Sequence, residues 1–301
     1  MSRQKRLRTR PMIDPETGEI FPNSVILNPG DVYLTKEEAE KRRMYAELKN
    51  AKKRFHHGRE YVVSYIDPVR EITNKLTLGE AGGLVKLLLH LRINSDGAII
   101  YRGKPTKKID LARIMGVSKS TGYRYVKKFT EVGVLTETAE TYVIDKRFHS
   151  MGWVGKGSFT KLYTVKTREI ISRLSNEEIG MLYNFLPYFH YMEYYLCENP
   201  DCDSDEIEYI GPVRLAELIG IDRKLVWERM KSLQKAGAVL ITGTRNQTRY
   251  LVHPDLMFRQ PEGTETEWTR SVRKLFDDHE KHRKRWYSRG YTLSVDCVIP
   301  F

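Results

Sequence analysis

The sequence predicts a mainly α fold with small β-hairpins, an α+β protein built twice from one supersecondary unit. The stretch Asp110–Leu135 recurs without a gap 104 residues further on, where Gly220 answers to Gly116. In that alignment Leu111 meets Leu215, Ala112 meets Ala216, Val117 meets Ile221, Val126 meets Met230, Phe129 meets Leu233 and Gly133 meets Gly237. A constant offset over the whole stretch marks an internal repeat. In each copy the apolar positions fall at helical spacing on both sides of the first glycine, and strand formers follow the second.

Helix, tight turn, helix, glycine stop and strand are expected in each copy. In the first, Ile109, Leu111, Ala112 and Ile114 give the leading helix an apolar face, and Gly116 supplies a turn that needs positive φ. Ser118 is a good N-cap for the next helix, and Asp222 takes that role in the second copy. Val126 and Phe129 face inward, which leaves Lys119, Ser120, Thr121, Tyr123, Arg124 and Lys127 outward. The corresponding outward set is Arg223, Lys224, Trp227, Glu228 and Lys231. Two basic faces with an aromatic at the same slot, Tyr123 and Trp227, suit a helix lying in a DNA major groove better than a hairpin buried for packing alone.

The chain before the first copy opens with five cations and no anion in residues 1–10. That arm either tracks a minor groove or phosphates, or is a solvated tail. Pro11–Asp31 reads as loop with a short extended piece at Val25–Leu27. Thr35 and Glu38 form a capping-box signature before a long helix to about His57, whose stripe of Met44, Leu48, Ala51 and Phe55 docks on the first domain or on a second subunit. Tyr61–Ile66 is expected as a strand, Leu76–Leu91 as a core helix and Ala98–Tyr101 as a short strand. Thr136–Ile144 completes a hairpin whose loop, Glu137–Glu140, is acidic and is assigned no phosphate contact. Helix, short strand, helix, helix and hairpin make up the winged-helix arrangement.

Residues 151–173 read as a linker, with Phe159–Val165 returning as a strand. Gly152, Gly155, Lys156 and Gly157 lack the spacing of a phosphate-cradling loop, so no nucleotide cofactor is expected. Ser175 and Glu178 cap the first helix of a second domain, and Ile179, Leu182, Tyr183, Leu186 and Phe189 continue one helical face. Tyr188, Tyr191 and Tyr195 extend that spacing, either as core or as a partner surface. Cys197 and Cys202 are joined only by Cys297 and by no nearby histidine pair, too few ligands for zinc, and no metal is expected. The stretch Asp201–Glu208 reads as a solvated acidic loop.

After the second copy, Val239–Thr242 and Tyr250–Val252 flank a basic, polar loop. Arg245, Asn246, Gln247 and Arg249 there are candidate donors to phosphates or to a minor groove. Thr264–Arg289 reads as a helix with a capping box at Thr264 and Glu267, an apolar side of Trp268, Val272, Leu275 and Phe276, and a cationic end at Lys281–Arg285. The expected division is a basic arm and long helix at 1–60, a first winged-helix domain at 61–150, the linker at 151–173, a second winged-helix domain at 174–260 and a helical extension at 261–301.

The 301 residues are 40% hydrophobic and 30% charged, an ordinary globular composition. There is no apolar run of membrane-spanning length and no apolar signal core, so a cytoplasmic protein without membrane contact is expected. The net charge of +12 is uneven: +5 over residues 1–75, +6 over 76–150, −5 over 151–210, +5 over 211–260 and +1 over 261–301. Both repeat copies thus lie in positive segments, as attraction to phosphate favours.

The helix pair and hairpin resemble the winged-helix DNA-binding superfamily, and Ile109–Leu135 resembles the DNA-reading part of many bacterial regulators. Two such domains in one chain resemble plasmid and phage replication-initiation proteins. The strand endings YVIDKRF and YLVHPDLMFR are similar to a strand and Asn-Pro-aromatic turn of some of those proteins, with Asp145 and His253 in place of the usual Asn. The resemblance covers roughly residues 61–260. It implies a sequence-specific binder of double-stranded DNA that marks a replication origin, with transcriptional repression or activation as the alternative. A nicking initiator needs a His-hydrophobe-His metal pair, whereas His56 and His57 are adjacent and diverge, so no enzyme activity is expected. A homodimer through the N- or C-terminal helix is a further expectation.

Overall fold

The structure, a computed structural model, describes residues 9–25, 38, 40–42, 60–152, 154–244, 247–260 and 266–288. The chain divides into two units, residues 1–53 and 54–301. In the first, β1 (Thr9–Ile13) and β2 (Ile20–Val25) form an antiparallel hairpin where a loop was expected. Its turn follows from Asp14, whose carboxylate accepts the N–H groups of Glu16 and Thr17 at 2.8 and 3.3 Å. Gly18 closes it at φ 70°. Of the expected long helix, residues 38 and 40–42 are helical; its apolar stripe lies outside the described residues, as does most of the basic arm.

The second unit runs β3 (Tyr61–Tyr65), α1 (Ile66–Thr73), α2 (Leu78–Leu88), β4 (Ile100–Tyr101), β5 (Lys104–Pro105), α3 (Lys108–Met115), α4 (Lys119–Glu131), β6 (Leu135–Glu137), β7 (Tyr142–Ile144) and β8 (His149–Ser150). The same order then begins again with β9 (Phe159–Tyr163), α5 (Thr164–Ile171) and α6 (Asn176–Phe185), followed by a 3₁₀ turn at Leu186–Tyr188. It continues through α7 (Pro212–Ile219), α8 (Arg223–Ala236), β10 (Val239–Thr242), β11 (Arg249–Val252) and β12 (Met257–Phe258), and α9 (Glu267–Ser288) follows. Helices and small antiparallel sheets are thus mixed, an α+β architecture. No described helix is long and apolar enough to cross a membrane.

The repeat extends well beyond the stretch legible in the sequence. β3, α1 and α2 start at residues 61, 66 and 78, and β9, α5 and α6 start 98 residues later in each case. Both α2 and α6 open on a reciprocated capping box, Thr77 with Glu80 and Ser175 with Glu178. The offset becomes 104 at α3 and α7 because the stretch from the start of the second helix to the start of the third is six residues longer in the second copy. Those extra residues fall where the cysteine pair and the acidic loop lie.

The two copies share one sheet, in the order β12-β9-β3-β8. β3 and β9 pair antiparallel at its centre, with Tyr61 opposite Tyr163, Val63 opposite Lys161 and Tyr65 opposite Phe159. The strand expected at Phe159–Val165 is therefore present at Phe159–Tyr163 and lies at the centre of a sheet, and residues 164–171, expected in the linker, are a helix. The central place of the strand is not legible in sequence because Lys161 interrupts its apolar pattern. That side chain is buried, with Nζ donating to the Gln260 carbonyl at 2.8 Å and lying over the rings of Tyr61 and Phe258.

The helices α2 and α6 pack against each other through two glycines. A Cβ on Gly82 would stand 1.8 Å from the Asn176 carbonyl oxygen, and one on Gly180 would stand 2.0 Å from that of Leu78. Leu84, Leu87, Leu88, Phe129, Tyr183 and Phe185 fill the core around them. His149 is fully buried there, bridging Ser64 Oγ and Tyr183 Oη at 3.0 Å each, which ties one copy to the other.

The helical spacing expected through Tyr188, Tyr191 and Tyr195 stops at Phe185. Pro187 turns the chain into the 3₁₀ segment, and His190 Nδ1 then accepts the N–H groups of Met192 and Glu193 in a tight turn. Tyr194 and Tyr195 are buried, so most of this aromatic stretch is core. Arg259 pins the segment that carries Cys197 and Cys202 by donating to the carbonyls of Phe189 and Pro200 and to Asp201. Burial pushes the Cys197 thiol up to about 12. At the C-terminal end, α9 lays Val272 and Phe276 on the second copy, beside a Tyr194 Oη to Thr269 Oγ1 contact of 2.6 Å. Thr266 caps this helix through the Thr269 N–H; the expected cap, Thr264, lies outside the described residues.

Candidate nucleic-acid interface

Each turn between the paired helices is set by its glycine. Gly116 and Gly220 adopt φ 67° and 72°, left-handed values that end α3 and α7 and redirect the chain. The next helix starts on a capping side chain: Ser118 Oγ accepts the Thr121 N–H at 3.3 Å, and Asp222 Oδ1 accepts the Lys224 N–H at 2.7 Å. Gly122, Tyr125, Val126 and Phe129 form the buried face of α4; Val226, Met230, Leu233 and Ala236 form that of α8.

Burial of those faces leaves the other side of each helix outward. On α4, Lys119, Ser120, Arg124 and Lys127 are exposed, while Thr121 and Tyr123 are half-buried. On α8, Arg223, Lys224 and Glu228 are exposed, and Trp227 and Lys231 are half-buried. Among the described residues, Lys119, Arg124, Arg223 and Lys224 have no ion-pair partner. Lys127 reaches Glu131 at 3.9 Å, an exposed pair worth little in water.

The two aromatics serve as seats for cations. Lys108 Nζ and Lys119 Nζ lie 5.0 and 5.7 Å from the centroid of Tyr123, and Lys231 Nζ lies 5.0 Å from that of Trp227. These contacts hold ammonium groups near the outward face without neutralising them. The hydroxyls of Ser120 and Thr121 sit 3.1 and 2.9 Å from Ser118 Oγ, so they crowd the N-terminus of α4 beside its free N–H groups. A helix N-terminus of this kind favours an anion.

No protein-family model, curated protein or solved structure matches this chain. The residues themselves therefore carry the functional reading.

The two hairpins differ. The first closes through Thr138 and Thr141, with Glu137 and Glu140 exposed beside them. In the second, Gly243 turns at φ 90° and Gln247 is exposed, while Arg245 and Asn246 lie outside the described residues. Arg249 opens β11 at the base of this loop. It pairs with Thr242 at the end of the ladder, and its guanidinium lies 3.9 Å from the centroid of the Tyr209 ring.

Two residues that shape this surface, one on it and one beneath it, are not marked by the sequence pattern. Lys108 is exposed and flanks Tyr123 from the preceding helix, a contact that helical spacing within α4 does not reveal. Gly122 is buried where α4 meets α3, and a Cβ there would stand 2.4 Å from that of Ala112. Its signal was an unexplained glycine inside a helix, costly by about 1 kcal/mol unless packing requires it.

Proposed function

We propose that this chain is a sequence-specific double-stranded DNA-binding protein with two winged-helix halves, α4 and α8 being the helices that enter the major groove. The observation that carries this reading is the pair of equivalent helix-turn-helix elements, each with cations directed outward and an aromatic at the same slot. Lys119, Arg124 and Lys127 in one half, and Arg223, Lys224 and Lys231 in the other, would contact guanine edges and phosphates. Glu228 would accept from a cytosine amino group. Gln247, with Arg245 and Asn246, would extend the contact from the second hairpin.

The biological role favoured by the sequence resemblance is marking a plasmid or phage replication origin in the bacterial cytoplasm, by binding rather than catalysis. A transcription regulator would use the same surface. Capture of genomic duplex fragments by the full chain, followed by footprinting, tests both statements. A discrete footprint lost on charge reversal of Arg124 and Lys224 supports DNA reading; binding unaffected by those changes overturns it. Repeats within an origin favour initiation, and a site overlapping a promoter favours regulation. Strand cleavage in magnesium or manganese would show an enzyme instead.

A further inference from the structure

The contacts that join the two copies are reciprocal. In the central strand pair, Tyr61 faces Tyr163 and Tyr65 faces Phe159. Moving each residue to its counterpart 98 positions away exchanges these two pairs, and Val63 faces its own counterpart, Lys161. Gly82 meets Asn176 while Gly180 meets Leu78, the same contact made in both directions. Arg70 donates to the Pro187 carbonyl at 3.1 Å, and Arg168 donates to that of Leu89, again 98 apart on both sides. Reciprocal contacts of this kind define a two-fold axis; copies related by translation would give contacts in one direction only.

The helix pairs hang on this frame in matching ways. Tyr125 of α4 lies against Gly79, and Arg229 of α8 is ion-paired with Glu177. Tyr125 and Arg229 are counterparts at the 104 offset, as Gly79 and Glu177 are at 98. The outward faces of α4 and α8 are thus related by the same axis. Their charges agree at Lys119 and Arg223 and at Lys127 and Lys231, a cation is gained at Ser120 and Lys224, and the sign is inverted at Arg124 and Glu228.

We propose that the duplex read by this protein consists of two half-sites of opposite polarity, an imperfect palindrome. Its symmetry is broken at the base pair met by Arg124 in one half and by Glu228 in the other. This rests on the DNA-binding reading above and specifies its target. A two-fold protein matches a two-fold site. A guanidinium donates to guanine O6 and N7 where a carboxylate accepts from cytosine N4, so the equivalent position calls for guanine in one half and cytosine in the other.

In vitro selection from a randomised duplex library, with the full chain and with its Glu228→Arg variant, tests this. Glu228 is exposed, so the variant keeps its fold. The expected result is two different half-motifs in opposite orientation for the native chain. The variant shifts one half, at one position, to the base preferred in the other half, by about tenfold in competition binding. Half-motifs enriched in the same orientation, a single half-motif, or a variant with unchanged preference would each overturn the proposal while leaving DNA binding intact. Enrichment of no duplex at all would remove the DNA-binding reading and this inference with it.

Discussion

Gly82 and Gly180 are each other's counterpart across the internal two-fold, and each lies against the backbone carbonyl that opens the opposite helix. Neither position has room for a methyl group. Gly82→Ala or Gly180→Ala must push α2 and α6 apart, and the loss in unfolding free energy is expected near 3 kcal/mol, the upper range for overpacking. The double variant should cost less than the two losses added, since one displacement relieves both clashes. Denaturant midpoints for the three variants check this; full additivity would show that the glycines do not share an interface.

Acid should weaken the fold before the carboxylates titrate. Burial holds His149 down at about 3 and His253 at about 4, whereas an unfolded histidine takes its proton near 6.5. Both folded values are depressed, so the unfolded chain binds more protons between those limits. Stability is fully present above about pH 6.5 and falls as pH drops, by up to about 1.4 kcal/mol per pH unit for each histidine. Urea unfolding at pH 7.5, 6.5, 5.5 and 5.0 measures the slope. His149→Gln should flatten it, and a profile identical to the native one would mean that His149 is not held neutral.

The sequence revealed the part of the fold whose burial is periodic and whose turns are chemically marked. Gly116, Gly220, Ser118 and Asp222 act as turn and cap residues, and their side-chain types announce it. The 98-residue relation of β3, α1 and α2 to their counterparts was hidden because packing, not identity, is preserved there: Val63 corresponds to Lys161, and Ser64 to Leu162. A buried lysine satisfied by the Gln260 carbonyl reads as a surface residue until the fold supplies its partner. Arg249 shows a related case, since the fold seats its guanidinium over the ring of Tyr209, a partner 40 residues away that loop composition does not reveal.

Arg124 and Lys127 lie on the same exposed face, yet their removal should read differently. Arg124→Ala is expected to relax preference at one base pair, by about 1–3 kcal/mol of discrimination. Lys127→Ala should weaken all duplexes alike and reduce the slope of log affinity against log salt by roughly one. Anisotropy titrations at several salt concentrations, on a selected site and its single-base variants, separate the two. Equal loss on every sequence for Arg124→Ala would reduce it to a phosphate contact.

The approach of α4 to α3 depends on Gly122, whose counterpart on α8 is Val226. An added Cβ would stand 2.4 Å from Ala112 Cβ and 2.8 Å from its Cα, so Gly122→Ala should lift α4 and cost roughly 1–3 kcal/mol in stability. Because the displaced helix carries Lys119, Arg124 and Lys127, DNA affinity should fall as well, although no outward residue has changed. Adding Ala112→Gly removes the nearer clash but not the contact with Cα, and it places a glycine inside α3 at about 1 kcal/mol. The double variant should therefore regain only part of the affinity lost by Gly122→Ala. Thermal melts and duplex titrations of both variants test this, and undiminished affinity for Gly122→Ala would show that α4 does not have to rest on Ala112 to read DNA.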